Sequence, residues 1–175
     1  MSHEDLGPVE TAWAGKWITV KTQGPWEYVS RARGIRAAVI LAVEDGHVLL
    51  IEQFRVPLGR RCLELPAGLI GDDHEDDTVL GAANRELIEE TGYSAAQAED
   101  LGEFYSSPGM VSESFTLVRL SGLTRVSEGG GIGEEEIIVH RVPLAEVPAF
   151  VAAKRTEGLA VDVKILLLLA QSLLD

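Results

Sequence analysis

The run Arg85–Tyr93, Arg-Glu-Leu-Ile-Glu-Glu-Thr-Gly-Tyr, places three glutamates within five positions. An α-helix turns by about 100° per residue, so Glu86, Glu89 and Glu90 fall within roughly one third of its circumference. A separate face carries apolar side chains: Leu80, Leu87 and Ile88. The sequence therefore predicts a helix with one face that can be buried and one face crowded with carboxylates.

The crowding of like charges needs a physical reason. Carboxylates spaced by three and four positions oppose helix formation by about a few tenths of a kcal/mol per pair. A divalent cation would reverse that cost, because carboxylate oxygens are the ligands that Mg²⁺ prefers, often together with substrate phosphates. The alternative is a solvated face with Arg85 as its counter-ion. A solvated face requires neither Gly92 at the helix end nor the rigid turn Leu65–Gly68 upstream, so the surroundings favour a metal site.

Strands and helices are mixed along the chain without regular alternation. Asp77 is the expected N-cap of the carboxylate helix, and Gly92 is the expected glycine after its end. The predicted strands are 17–22, 27–33, 35–43, 47–54, 62–65, 103–105, 114–120 and 136–142, and the predicted helices are 77–91, 144–154 and 161–174. This order favours an α+β fold, or a mixed sheet flanked by helices, over a doubly wound parallel fold.

Composition excludes several classes of partner. The chain has 28 acidic and 15 basic residues, a formal charge of −13, which repels nucleic acid and anionic membranes. Cys62 is the only cysteine, which fits a reducing compartment. Residues 1–8 lack the apolar stretch of a signal peptide, and the longest apolar run, 165–170, is shorter than the about 20 residues that span a bilayer. We expect a cytoplasmic protein with neither nucleic-acid nor membrane partners.

The run 71–93 resembles the Nudix box, in which Gly, five residues, Glu and seven residues precede Arg-Glu-apolar-any-Glu-Glu-any-Gly-apolar. Arg85–Tyr93 matches every specified position, and Gly71 occupies the first glycine. Asp77 replaces the usual glutamate, and the preceding loop is three residues longer than usual. The acidic run 72–77 in that loop is interpreted as solvated in preference to an additional metal site.

Further stretches are similar to the ADP-ribose pyrophosphatase branch of that family: Glu52–Arg55, Leu63–Gly68, Ser107–Gly109, Ser112–Glu113 and Glu134–Ile137. Pro108 lies fifteen residues beyond Tyr93, the spacing associated with that branch. The resemblance covers roughly 17–147. It implies an α/β/α sandwich with a mixed sheet, a Nudix hydrolase domain over 35–175, and antiparallel N-terminal strands over 1–34 that form a homodimer.

The resemblance also implies Mg²⁺ or Mn²⁺, as two or more ions. Glu86 and Glu90 would be the main ligands, Glu89 would bridge ions or support the ligands, and the backbone carbonyl of Ala67 would be a further ligand. Arg85 would orient a helix glutamate through a salt bridge.

The general base is expected in a glycine-rich loop. Glu134 and Glu135 follow Gly129–Gly133, and a mobile loop can bring a carboxylate over bound substrate. The family resemblance implies Glu135 as the preferred ligand or base and Glu134 as the next, and Glu89 is a further catalytic candidate. The alternative is a disordered acidic loop.

Substrate contacts are expected from five side chains. Arg55 is the leading phosphate contact, because a guanidinium pairs bidentately with phosphate oxygens. Glu64 would line the pocket or bind metal, unless it is a half-exposed strand residue, and Glu113 would accept from ribose hydroxyls. Trp26 and Tyr28 would stack on adenine, unless they serve core or dimer packing. Secondary phosphate candidates are Arg60 and Arg61.

The function implied is metal-dependent hydrolysis of the diphosphate bond of a small nucleoside diphosphate derivative, with ADP-ribose giving AMP and ribose 5-phosphate. A nucleotide sugar such as GDP-mannose, or NADH, is the alternative substrate. A non-catalytic nucleotide-binding module is the alternative class, although Glu86, Glu89 and Glu90 are all retained. The spacing of an EF-hand loop is absent from the sequence.

Overall fold

A small antiparallel sheet begins the chain. The computed structural model describes residues 6–32, 36–70, 78–133 and 135–174, without the side chain of Arg36. The strands β1 (Glu10–Ala14), β2 (Ile18–Gln23) and β3 (Trp26–Arg31) pair in that order. β3 also contacts the loop after residue 105: Val29 N–H donates to Met110 O at 3.0 Å, and Ser112 N–H donates to Val29 O at 2.9 Å.

A mixed eight-stranded sheet forms the centre of the described fold. Its strands are β4 (Arg36–Glu44), β5 (His47–Arg55), β6 (Arg60–Glu64), β7 (Ala67–Ile70), β8 (Tyr93–Tyr105), β9 (Ser114–Arg125), β10 (Ile138–Pro143) and β11 (Ala160–Val161). β4 runs parallel to β9, and β6 runs parallel to β11. The other pairings are antiparallel, and β4 joins both β7 and β9. β4 also pairs with β5, which in turn pairs with β6 and β10, so β4 and β5 form the middle of the sheet.

Three α-helices cover the two faces of this sheet within the described residues. They are α1 (Val79–Thr91), α2 (Val147–Thr156) and α3 (Leu166–Leu174), and short 3-10 turns precede the last two. α1 begins where the Thr78 hydroxyl accepts from Gly81 N–H at 3.1 Å. None of the described helices has the length and apolar character needed to cross a lipid bilayer.

Alternate residues of β4 face opposite helical layers, as strand geometry requires. One set packs with α1: Ala38, Ile40 and Ala42 with Ala82, Ala83 and Leu87. The intervening set packs with α2 and α3: Val39, Leu41 and Val43 with Val147, Val151, Ile165 and Leu169. Two separate cores therefore hold the sheet between α1 and the α2–α3 pair, which confirms the predicted α/β/α sandwich with its mixed sheet and its additional antiparallel sheet.

Some predicted boundaries were wrong. β8 begins at Tyr93 rather than at residue 103. Its first half was not predicted because it consists mostly of alanine and polar residues and is half-buried or exposed. The predicted helix 161–174 is shorter, since Asp162 Oδ1 accepts from Lys164 N–H at 2.8 Å and starts a 3-10 turn. β1, β7 and β11 were not predicted. The predicted N-cap was also wrong, because Thr78 caps α1; Asp77 itself and the box glycine Gly71 lie outside the described residues.

We expect Leu87→Ala to lower the free energy of unfolding by about 2–5 kcal/mol, because Leu87 is fully buried between α1 and the sheet. Leu80→Ala is the matched control on the same helix. Leu80 was predicted to share the buried face, but its side chain is 37% exposed, so its loss should be under about 1 kcal/mol. Urea denaturation followed by circular dichroism measures both values, and equal losses would contradict this packing.

Candidate active site

A cavity of about 440 Å³ lies between the carboxylate face of α1 and the strands β4 to β7. It brings together most of the predicted site residues: Arg55, Glu64, Ala67, Glu86, Glu89, Glu90, Glu113 and Glu135. Residues from far apart in the chain thus share one concave surface. Their individual roles stay predictions, but their proximity is a property of the fold.

The carboxylate helix ends against the glycine-rich loop. Gly92 adopts a left-handed conformation with φ of 77°, and its N–H donates to Ile88 O at 2.9 Å. Gly130 N–H and Gly131 N–H then donate to the carbonyls of Glu90 and Glu89 at 2.9 and 3.0 Å. A Cβ on Gly92 would overlap Ser127 O. The loop that carries Glu135 is therefore anchored on the last turn of α1 in this structure.

The predicted turn Leu65–Gly68, whose last two residues begin strand β7, fits closely against the same helix. A Cβ added to Gly68 would overlap the carboxyl group of Glu86. Ala67 N–H donates to Glu90 Oε2 at 3.0 Å. This proximity explains in steric terms why a glycine follows Ala67, and it places the backbone of the turn beside two of the predicted metal ligands.

Glu90 is a buried carboxyl whose neighbours disfavour its charge. Burial raises the pKa of Glu90 to about 8, the negative charges of Glu86 and Glu135 act in the same direction, and the Ala67 N–H and Arg55 oppose them. Arg85 counters the remaining helix carboxylates: its Nη1 lies 2.9 Å from Glu86 Oε1 and 3.5 Å from Glu89 Oε2. The family resemblance implied a salt bridge from Arg85 to one helix glutamate, and Arg85 pairs with two.

The donor chemistry of this surface fits a hard divalent cation. Six carboxylates line the cavity, namely Glu64, Glu86, Glu89, Glu90, Glu113 and Glu135, against four cations, namely Arg31, Arg55, Arg85 and Lys164. Carboxylate oxygens are ligands that Mg²⁺ prefers, usually one or two of them together with water and substrate phosphate. Across 6–32, 36–70, 78–133 and 135–174, however, no three acidic, histidine or cysteine side chains already converge in a metal-holding geometry.

Arg55 and Glu64 form a planar pair at one wall. Arg55 Nε donates to Glu64 Oε1 at 2.7 Å, and Arg55 Nη2 donates to Glu64 Oε2 at 2.8 Å. The Glu64 side chain is only 6% exposed and that of Arg55 is 42% exposed. This burial contradicts the alternative that Glu64 is a half-exposed strand residue. The pair fixes the guanidinium plane at the cavity wall.

Glu113 is paired with a residue that sequence reasoning missed. Arg31 of β3 donates to Glu113 Oε1 at 2.6 Å, and both side chains line the cavity. Phe115 and Lys164 also line it, and the Lys164 ammonium lies 2.8 Å from Asp162 and 5.7 Å from the Phe115 ring centre. No local motif marks these three residues, because β3, β9 and the turn before α3 meet only in the folded chain.

Of the two base candidates in the glycine-rich loop, Glu134 and Glu135, the structure describes only Glu135. Glu135 lines the cavity, and its Oε2 accepts from Ile132 N–H at 3.0 Å within its own loop. Glu134 lies outside the described residues. The observed loop positions Glu135 at the cavity while its carboxylate bonds to the loop backbone.

Trp26 and Tyr28 lie elsewhere. They line a separate pocket of about 330 Å³, together with Pro108 and Val111. They do not belong to the residues that line the carboxylate cavity of the same chain. Stacking of either ring on a substrate in that cavity would require a second copy of the chain, and it stays a prediction.

Comparison with known proteins identifies the fold family. The family model of the NUDIX domain matches residues 32–160. A GDP-mannose pyrophosphatase of Cronobacter sakazakii is 39% identical over 147 residues, which cover 78% of this chain and 72% of that protein. An ADP-ribose pyrophosphatase of Bacillus subtilis is 34% identical over 101 residues, which cover 58% of this chain and 53% of that protein.

A solved structure agrees with this match. The crystal structure of an ADP compounds hydrolase has a TM-score of 0.71 and 25% sequence identity, and the match covers 96% of this chain and 92% of that one. The domain match spans the carboxylate helix, the Leu65–Gly68 turn and the glycine-rich loop. The chain therefore belongs to the Nudix hydrolase family.

Proposed function

We propose that this protein hydrolyses the diphosphate bond of a small nucleoside diphosphate derivative, with ADP-ribose giving AMP and ribose 5-phosphate. The observation that carries the proposal is the convergence of Glu86, Glu89 and Glu90 with the Leu65–Gly68 turn and Arg55 on one cavity. The names of the Bacillus subtilis relative and of the solved structure support a nucleoside diphosphate substrate.

The proposal includes two or more divalent cations, which are Mg²⁺ or Mn²⁺. Glu86 and Glu90 would hold them, with Glu89, Glu135 and the Ala67 carbonyl as further donors. When bound, such ions neutralise phosphate charge and supply Lewis acidity. They also account for how an anion enters a cavity in which carboxylates outnumber cationic side chains among the described lining residues.

Arg55 can bind phosphate without leaving its buried partner. A guanidinium has five N–H donors in one plane. Glu64 accepts from Nε and from one Nη2 hydrogen, so the remaining donors are free to meet phosphate oxygens. Because Glu64 keeps its hydrogen bonds, the burial of its charge stays compensated. The pair is thus suited to orient a diphosphate at the cavity wall.

Glu135 is the proposed general base. Water attacks one phosphorus, a new P–O bond forms, the bridging P–O bond breaks, and Glu135 accepts the proton of the attacking water. Glu134, the next candidate by sequence, lies outside the described residues. Glu89 is the further candidate, because it lines the same cavity as the proposed ligands. Oε2 of Glu135 accepts from Ile132 N–H, and the other acceptor sites of the carboxylate can receive the proton of the water.

A homodimer and a cytoplasmic location complete the proposal. The small N-terminal sheet exposes large apolar side chains: Val9, Trp13, Trp17, Ile18 and Trp26. A second copy would cover such a surface and could bring Trp26 and Tyr28 to the partner's cavity, with residues 1–34 as the dimerisation region and 35–175 as the hydrolase domain. The one cysteine, Cys62, is buried and unbridged, which suits a reducing compartment.

GDP-mannose is the second candidate substrate. The Cronobacter sakazakii relative is named for it and aligns over more of this chain than the Bacillus subtilis relative. Both substrates contain the same diphosphate and differ in base and sugar. The reaction proposed at the cavity is therefore the same for either.

In a substrate panel with Mg²⁺, we expect ADP-ribose to be cleaved to AMP and ribose 5-phosphate with a higher kcat/KM than GDP-mannose or NADH. Chromatography of the nucleotide products measures this, and EDTA should abolish the product. A preference for GDP-mannose would reassign the substrate and keep the reaction. Absence of turnover on every diphosphate with Mg²⁺ and Mn²⁺ would refute the proposal.

We expect Glu135→Gln to lower kcat by about 10²–10⁴-fold if it is the base, because the amide cannot accept the proton. Glu89→Gln should have the smaller effect on kcat. Glu99→Gln is the matched control, since Glu99 is an exposed glutamate of β8 that pairs with Arg119. Initial rates at saturating Mg²⁺ and substrate decide the assignment, and a larger loss in Glu89→Gln would transfer the base to Glu89.

Trp26→Ala should raise the KM for ADP-ribose and leave kcat nearly unchanged, because stacking on a base contributes about 1–3 kcal/mol. Trp26→Tyr retains an aromatic face and should restore most of the affinity. Sedimentation of both variants tests whether the dimer persists. A monomeric wild-type protein with full activity would refute the partner's contribution.

A further inference from the structure

A buried carboxylate lies behind the wall of the cavity. Glu52 of β5 is 5% exposed and has three cationic or potentially cationic partners. Its Oε1 accepts from Arg61 Nε of β6 at 2.7 Å, and its Oε2 lies 3.1 Å from His140 Nε2 of β10 and 3.1 Å from Lys154 Nζ of α2. One side chain therefore joins two further strands and a helix.

Glu52 remains charged in this environment. Burial by itself raises the pKa of Glu52, but hydrogen bonds from Lys154, Arg61 and His140 outweigh it and lower the pKa below its ordinary value. An ionised carboxylate with fixed partners holds the Arg61 guanidinium in one orientation.

In that orientation, Arg61 also bonds to the loop that contains Glu136. Its Nη2 donates to the backbone carbonyl of Glu52 at 2.8 Å and to the backbone carbonyl of Glu136 at 3.0 Å. Arg61 does not line the carboxylate cavity, so the suggestion that it contacts phosphate directly is not supported by its position. Its donors face the strand and the loop instead.

Glu135, the proposed base, directly precedes Glu136, whose carbonyl Arg61 binds. The loop before it is attached to α1 through Gly130 and Gly131, and the loop after it returns where Ile137 N–H donates to Gly130 O at 3.1 Å. The Arg61 bond to Glu136 attaches the same loop to the sheet. Glu135 thus lies in a short segment attached to the helix on one side and to the sheet on the other.

We propose that Arg61, oriented by Glu52, is a positioning residue that holds the backbone next to Glu135 so that its carboxylate stays at the cavity. This inference rests on the proposed function, in which Glu135 is the base. Arg61 touches neither the proposed metal ligands nor the substrate cavity. It acts through the Glu136 carbonyl, so it should affect the reacting geometry and leave substrate affinity intact.

Two variants separate positioning from folding. Arg61→Gln removes both the positive charge and the planar set of guanidinium donors. Arg61→Lys keeps a cation beside Glu52 but loses the planar donors. Arg119→Ala is the matched control, because Arg119 also pairs with a glutamate across two strands but is exposed. Thermal melts of the full chain establish that Arg61→Lys folds as the wild type does.

The kinetic test is a double-mutant cycle with Glu135→Gln. Arg61→Lys should lower kcat by about tenfold to a hundredfold, since a displacement of about 1 Å has effects of that size, and KM should stay close to the wild-type value. In the Glu135→Gln background, the same change should have almost no further effect on kcat. Equal effects in both backgrounds, or a change confined to KM, would overturn the proposal.

Hydrogen–deuterium exchange tests the same inference without metal, substrate or turnover. Amides of the segment 135–138 should exchange faster in both Arg61 variants than in the wild type and Arg119→Ala, while amides of α1 keep their protection. Unchanged exchange in that segment would overturn the proposal even in an active enzyme. A wild type that is inert on every diphosphate, but whose loop responds to Arg61, would refute the proposed function and leave Arg61 as the residue that holds the loop.

Discussion

Repulsion among carboxylates on one helix is the constraint around which this structure is arranged. Glu86, Glu89 and Glu90 project from two successive turns of α1. Arg85 forms salt bridges with Glu86 and Glu89, and the Ala67 N–H donates to Glu90. The pKa of Glu90 nevertheless remains raised, chiefly because the carboxyl is buried, with the negative charges of Glu86 and Glu135 acting in the same direction. A cation that arrives with a phosphate would complete what the chain itself leaves uncompensated.

The cations that line the cavity follow one rule: each is paired with a carboxylate. Arg55 is held by Glu64, and the remaining pairs are Arg31 with Glu113, Arg85 with Glu86 and Glu89, and Lys164 with Asp162. Such pairs orient long side chains and reduce the entropy lost when a ligand binds. The cavity is therefore built from ion pairs, and the diphosphate of the proposed function would meet guanidinium groups that are already oriented.

How much of this could be predicted depends on whether the signal is local. The carboxylate face of α1 and the glycine at its end follow from spacing within one helix. The α/β/α sandwich was implied by the family resemblance, and it agrees with the continuous apolar run of β4, which is packed on both faces. Arg31, Phe115 and Lys164 carry no such signal, because only tertiary contacts bring them to the cavity. The first half of β8 was missed because alanine and polar residues there favour a helix or loop over a strand.

The register of the acidic loop shows why local sequence is insufficient at the site itself. Glu134, Glu135 and Glu136 are chemically identical, so no pattern in the sequence selects one of them. Backbone bonds make part of the selection: Ile137 N–H pairs with Gly130 O, and the carbonyl of Glu136 is bound by Arg61. With those contacts in place, Glu135 lines the carboxylate cavity and Glu136 does not. The assignment of a base in this loop therefore depends on hydrogen bonds made by main-chain atoms on either side of it.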